Sequence, residues 1–150
     1  MSHLHGFPDL PPVWAFGFFL LQVGLAWLWP LAALGDWARL PGWGLVAAGL
    51  ALAGWAALWF WRKHTAIEPR KVPKALIVEG PYRLNRNPIY TGMVLVLLGT
   101  GLLSGALSAL LIVAAFPPII TRRFILGEEA GLRATFGERA GHFIAATRRW

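Results

Sequence analysis

Apolar residues run along this chain in blocks of membrane length, not in the short alternations of a water-soluble fold. A helix needs roughly 20 apolar residues to cross the hydrocarbon core of a bilayer. Residues 13–34 meet that length, with Gln22 the one strongly polar side chain, and Pro30 is placed to bend or end the helix. Residues 35–44, GDWARLPGWG, read as a turn bounded by tryptophans, and residues 45–61 as a second span. The small residues Ala47, Gly49, Ala53 and Gly54 let a neighbouring helix come close. Residues 62–87 are polar, basic and punctuated by proline, which reads as an ordered loop. The apolar run over 88–120 is too long for one crossing. Broken at GTGLLSG (99–105), it gives a third span over 88–102 and a fourth over 106–124, kinked by Pro117 and Pro118. Residues 127–146 carry Leu132, Phe136, Phe143 and Ile144 at helical spacing, the pattern of an amphipathic surface helix. The expected fold is all-α: one domain over 1–150, an integral-membrane bundle of about four transmembrane helices plus a C-terminal amphipathic helix.

Composition agrees. Charged residues make up 14% of the chain, where a soluble domain carries about 25%. With no cysteine, disulfides, thiolate catalysis and cysteine-based metal sites are excluded. The net charge of +7 is unevenly spread. Arg39 is the one basic residue before position 62, seven more lie from Arg62 to Arg86, none from 87 to 121, and six from Arg122 onward. Clusters of this kind can bind nucleic acid, but here they flank apolar spans, where lysine and arginine mark the cytoplasmic side. The expectation is therefore no nucleic-acid partner, both termini and the basic loop in the cytoplasm, and the bilayer itself as partner. MSHLHGFPDLPP offers no basic segment and no small-residue cleavage site, so the first apolar run is expected to remain as an anchor.

The candidate chemistry lies in EGPYRLNRNPIYTG (79–92) and in the glutamates that follow the fourth span. Asn87-Pro88 has the form of a capped helix start. Arg83 and Arg86 beside a helix N-terminus suit an anion, or equally lipid phosphates reached by snorkelling. Tyr82 and Tyr90 fit an interfacial belt or an aromatic wall for a flat or cationic ligand. Glu128 shares the apolar side of its helix with Leu132, Phe136 and Phe143, whereas Glu129 is placed to pair with Arg133 on the exposed side. A carboxylate facing apolar surroundings calls for a partner, either the helix N-terminus after Gly127 or a donor on a ligand. GTGLLSG lacks the spacing of a phosphate loop. Histidines 3, 5, 64 and 142 lack ligand spacing, so no metal is expected.

GPYRLNRNPIYTG followed, after a hydrophobic hairpin, by EEAGLRATFG resembles the isoprenylcysteine carboxyl methyltransferase and phospholipid methyltransferase superfamily. The likeness covers residues 75–137. It implies an integral-membrane enzyme that uses S-adenosylmethionine without a Rossmann domain and releases S-adenosylhomocysteine. The cofactor would come from the cytoplasm and a lipophilic substrate from the bilayer, in a protein of the bacterial inner membrane. The resemblance places cofactor binding on Lys74, Ala75, Leu76, Ile77, Tyr82, Asn87, Pro88, Ile89, Tyr90 and Glu128. Asn87 stands where the family often has histidine, and Ile67 where its eukaryotic branch has glutamine. That branch's substrate arginine falls on Phe124, next to Arg123, and the tyrosines often found after F-G fall on Ala140 and Phe143.

The leading expectation is thus a methyltransferase acting at carbon-bound oxygen, nitrogen or sulfur of a lipophilic acceptor, with Arg86 and Arg123 steering substrate charge. Methyl transfer from a sulfonium is an in-line displacement that depends on alignment and exclusion of water, so it does not require a catalytic histidine or cysteine. Two alternatives stand beside it: a non-enzymatic membrane scaffold whose basic loop binds anionic lipid, and a membrane reductase holding a nicotinamide cofactor.

Overall fold

A computed structural model describes residues 9–65 and 71–150. The sequence positions His3, His5 and Ile67 lie outside them. The described chain is all-helical. α1 (Pro11–Leu28) and α2 (Arg39–Arg62) are followed by α3 (Pro88–Leu103) and by a long helical run over Leu107–Phe136. Three of these segments are long and apolar enough to cross a membrane, and Pro88–Leu103 is a shorter apolar helix beside them. This is an integral membrane protein.

The helix ends follow local chemistry. α1 begins on Pro11, where the missing N–H costs nothing, and stops at Leu28, two residues before Pro30. The segment expected to prolong it is instead an irregular bend, with Leu31 at φ 58° and the Ala32 N–H on the Pro30 carbonyl at 2.7 Å. It pairs with the turn after α3, through Leu34 N–H to the Gly105 carbonyl at 2.7 Å and Leu107 N–H to the Ala32 carbonyl at 2.9 Å. α2 starts earlier than its apolar run because Pro41 falls in the first turn, where proline is tolerated. α3 runs through Gly99 and Gly101, so the reversal is confined to the residues around Gly105, whose φ of 71° suits glycine.

The long run is not a uniform helix. α4 (Leu107–Leu111) tightens to a 3-10 stretch at Ile112–Ala115, just ahead of Pro117 and Pro118 in α5 (Phe116–Ile120). A π-helical turn at Thr121–Ile125 follows, closed by Leu126 N–H on the Thr121 carbonyl, and leads into α6 (Leu126–Phe136). The amphipathic stretch expected as one helix is two, since Gly137 at φ 54° separates α6 from α7 (Glu138–Ala146).

Packing has two centres. Phe18 of α1, Tyr90 and Leu97 of α3, and Val113, Phe116, Ile120, Phe124 and Ile125 of the long run form one buried cluster. Gln22 is almost wholly buried and fully used: its amide donates to the Leu97 carbonyl at 2.8 Å and the Ala109 carbonyl at 2.9 Å, and its oxygen accepts from Thr100 Oγ1 at 2.8 Å. One side chain thereby ties three helices where lipid offers no water.

α2 and α3 meet through backbone. A Cβ on Gly49 would sit 2.5 Å from the Gly92 carbonyl oxygen, one on Gly92 would sit 2.6 Å from that of Gly49, and one on Gly99 would sit 2.6 Å from that of Gly42. These glycines stand seven apart on each helix, so one antiparallel seam carries both pairs. Gly54, by contrast, has nothing within 4 Å of its Cβ position.

Gly92→Ala is therefore expected to push α2 off α3 and destabilise the protein by about 1–3 kcal/mol, whereas Gly54→Ala should stay within about 0.5 kcal/mol of the parent. Thermal midpoints in detergent check this pair; equal midpoints would contradict the seam.

Candidate functional site

The basic loop folds back under α2. Lys63, at the end of α2, donates to Glu79 Oε1 at 2.5 Å, and the Lys74 N–H donates to Thr65 Oγ1 at 2.9 Å. The Lys63 ammonium holds the Glu79 carboxyl below the ordinary carboxylate range. Gly80 follows at φ 60°, pressed against the Trp59 indole so closely that no Cβ could fit. That turn starts the 3-10 stretch Gly80–Arg83 and drives Tyr82 inward, where it packs with Ala56 and Ile77 and meets the Phe60 ring edge-on at 5.9 Å.

A cavity of about 500 Å³ opens between this loop, the start of α3 and α6. Ala75, Leu76, Ile77, Tyr82, Asn87, Ile89, Tyr90 and Glu128 all line it, as does Arg86. Lys74 is exposed and Pro88 buried, and neither reaches the lining. Arg123 also lies outside it: its Nε donates to Asp9 Oδ1 at 2.7 Å, and its guanidinium sits 5.0 Å from the centre of the Trp14 ring. The same Asp9 oxygen accepts from the Trp14 indole at 3.0 Å. This clasp holds the entry to α1 so that Leu10, Pro11 and Pro12 form part of the cavity wall.

Inside the cavity, the Tyr90 hydroxyl donates to Glu128 Oε1 at 2.5 Å. Tyr82 stands close by, and burial, with the Glu128 charge second, pushes its hydroxyl above the ordinary tyrosine range. Much of the remaining wall is apolar or aromatic, with Phe60, Met93, Leu132 and Phe143 joining the tyrosines, while Lys71, Arg86, Asn87, Glu129 and Thr135 supply its other polar groups. Met93 was findable from sequence, since it follows Tyr90 by three residues on a helix. Phe60 and Leu10 were not, because each reaches the cavity through a tertiary contact distant in sequence.

Two readings of the polar groups change. Asn87 precedes α3 but makes no side-chain cap; its amide donates instead to the Arg149 carbonyl at 2.9 Å, and its own N–H is taken by Asn85 Oδ1 at 2.9 Å. Glu129 does not face solvent with Arg133. It is only 5% exposed, forked by Arg149 Nε and a terminal nitrogen at 2.8 Å each, with Arg86 at 3.1 Å. A helical wheel of α6 alone could not reveal this, because the C-terminal residues that cover that side lie outside the helix.

Arg86 is held on several sides. Its backbone N–H donates to the Arg148 carbonyl at 2.7 Å, and one terminal nitrogen donates to the Ile144 carbonyl. Arg83 is exposed. The arrangement thus presents Glu128, held by Tyr90, to a largely apolar and aromatic chamber, while the neighbouring carboxylate is neutralised by two arginines. Such a chamber suits a ligand with a flat ring and a cationic group.

The family profile described as phospholipid methyltransferase matches residues 37–139, more than half of the chain. The match takes in α2, α3, the loop between them and the glutamate pair. No curated protein and no solved structure matches the chain.

Because the chain has two tyrosines, Tyr90→Phe leaves Tyr82 as the sole reporter. Its tyrosinate absorbance is expected to appear well above pH ~10, the value of a free phenol. The proton is held more tightly in the folded state. The stability it contributes is therefore complete below the unfolded value of ~10 and is lost as pH rises toward the folded one. Titration with a midpoint near 10 would show that Tyr82 is not buried.

Proposed function

The chain belongs to the phospholipid methyltransferase family, and from that premise we propose that the cavity binds S-adenosylmethionine and that the protein transfers its methyl group to a lipophilic acceptor drawn from the bilayer. The observation that carries this reading is the Tyr90–Glu128 pair set in an apolar, aromatic-walled cavity of about 500 Å³.

The residues present fit the cofactor. Glu128 is the one carboxylate of the lining not paired to an arginine among the described residues, so it is free to take an ammonium. Tyr82, Phe60 and Phe143 supply flat apolar surface for an adenine ring, and the backbone at Ala75, Leu76 and Ile77 supplies polar edges along it. Lys74 and Pro88 support the site from outside the lining. When bound, the sulfonium supplies an electrophilic methyl group. This chain's part is to align the two reactants and exclude water, which in general is worth ~7–11 kcal/mol. Tyr90 orients Glu128 by donating to it, and Met93, Ile89 and Leu132 keep the chamber dry.

The acceptor enters as a lipophilic molecule, since the cavity lies among membrane helices with Ile89 and Met93 of α3 in its wall. Arg86 reaches the lining with its terminal nitrogens already engaged, and Arg123 is held outside by Asp9. The basic loop and the basic C-terminal helices support a mouth on the cytoplasmic side.

Calorimetry on detergent-purified protein should detect S-adenosylhomocysteine. Glu128→Ala should weaken it by about ten-fold or more, the loss of one charge-assisted hydrogen bond of ~1.5–3 kcal/mol. Unchanged affinity in that variant would remove Glu128 from the site. No nucleoside-specific response, together with salt-sensitive binding to anionic vesicles, would favour the lipid scaffold instead.

A further inference from the structure

We infer that Arg149 is a positioning residue for the cavity, acting through the buried Glu129 carboxylate and through Asn87 without touching any ligand itself. This rests on the methyltransferase reading of the site.

Residues 147–150 run as a strap between the start of α3 and α6. Arg149 grips Glu129 with two nitrogens at 2.8 Å, the planar fork that gives arginine–carboxylate pairs their directionality. The Glu129 side chain is only 7% exposed, while that of Arg149 is 36% exposed. The pair is therefore anchored on a buried carboxylate, with the guanidinium at the rim. The strap's backbone is used as well: the Arg148 carbonyl takes the Arg86 N–H at 2.7 Å and the Arg149 carbonyl takes the Asn87 amide at 2.9 Å. Its far end is fixed by Trp150, whose indole donates to Thr121 Oγ1 at 3.2 Å in the π-helical turn.

The consequence is geometric. Asn87 and Tyr90 sit on the first turn of α3, Glu128 on the first turn of α6, and each lines the cavity. No residue of the strap does. Glu129 follows Glu128 in the chain, and Arg86 precedes Asn87. The fork therefore fixes the distance between the two helix starts that the Tyr90–Glu128 hydrogen bond must span. Without it, Arg86 and Glu129 still pair and the flanking Arg148 and Trp150 contacts remain, but the Arg149 carbonyl that meets Asn87 loses its own side-chain anchor.

The test is calorimetry of S-adenosylhomocysteine on the full chain in detergent, for the parent, Arg149→Lys, Arg149→Ala, Asn87→Ala and the double variant Asn87→Ala/Arg149→Ala. Arg149→Ala should weaken binding about ten-fold, the scale of one charge-assisted hydrogen bond, and lower the unliganded thermal midpoint, because the buried Glu129 keeps only Arg86 as its partner. Arg149→Lys should fall between. The double variant should bind no more than about two-fold weaker than Asn87→Ala alone, because both act along one path. A merely structural strap would instead give additive losses, and that result overturns the inference. So does parent-like binding in Arg149→Ala. Should Arg149→Ala fail to purify, Arg149→Lys decides: weakened binding supports positioning and parent-like binding refutes it. If the unaltered chain gives no binding heat, the methyltransferase reading falls and this inference falls with it. Binding in the parent with no change in the variants removes the inference alone.

Discussion

Inside a bilayer a polar atom has no water to fall back on, and this chain is arranged around that constraint. Its buried polar side chains do not sit at random. Gln22 closes a knot between α1, α3 and α4, with all its hydrogen-bonding capacity directed at two carbonyls and a threonine. Glu129 is enclosed by two arginines from distant parts of the chain. Asn87 hands its amide to the strap. Each pairing is long-range in sequence, so each fixes tertiary structure as well as satisfying a donor or acceptor. Glu128 departs from the pattern. Its hydrogen-bond partner is the Tyr90 hydroxyl, not an arginine, in the chamber where the reading of the site needs a carboxylate.

The glycine seam gives that polar framework its fixed scale. With Gly49 against Gly92 and Gly42 against Gly99, α2 and α3 are held at backbone contact, and slippage along the seam would drive side chains into carbonyl oxygens. The loop leaving α2 is then short of freedom: Trp59 meets Gly80, Lys63 holds Glu79, and Tyr82 arrives beside the first turn of α3. The rigid pair of helices thus sets where the aromatic wall stands, and the outer face of α2, with Trp43, Leu50 and Leu58 exposed, is left to lipid.

Much of the architecture was legible in the order of apolar blocks, because hydrophobic length is a property of local sequence. The sequence also singled out Tyr82, Asn87, Tyr90 and Glu128, and these meet at one cavity. What was not legible depended on neighbours. Asn87 looks like a cap because it precedes Pro88, yet a carbonyl 62 residues away competes successfully for its amide. Glu129 looks like half of an exposed i,i+4 pair with Arg133 until the strap covers it. Gly54 and Gly49 look alike as small residues, but only one faces α3. In each case local chemistry offered two satisfactory partners and packing chose between them.

The wide turn at Thr121–Ile125 bears on how this protein tolerates change. A π turn accommodates one more residue than the α-helix around it, and each α-helical residue advances the azimuth by about 100°. The spacing between Phe116 in the bundle core and Glu128 in the chamber is therefore counted in whole residues. Deleting one from this turn would restore an ordinary helix and leave the azimuth of α6 nearly unchanged, whereas deleting one from the regular helix on either side would swing the acidic face by more than a quarter-circle, away from Tyr90. The wide turn is thus the one point in this run where a residue could be lost without re-aiming the glutamates, while the length of the helix on either side would have to be kept constant.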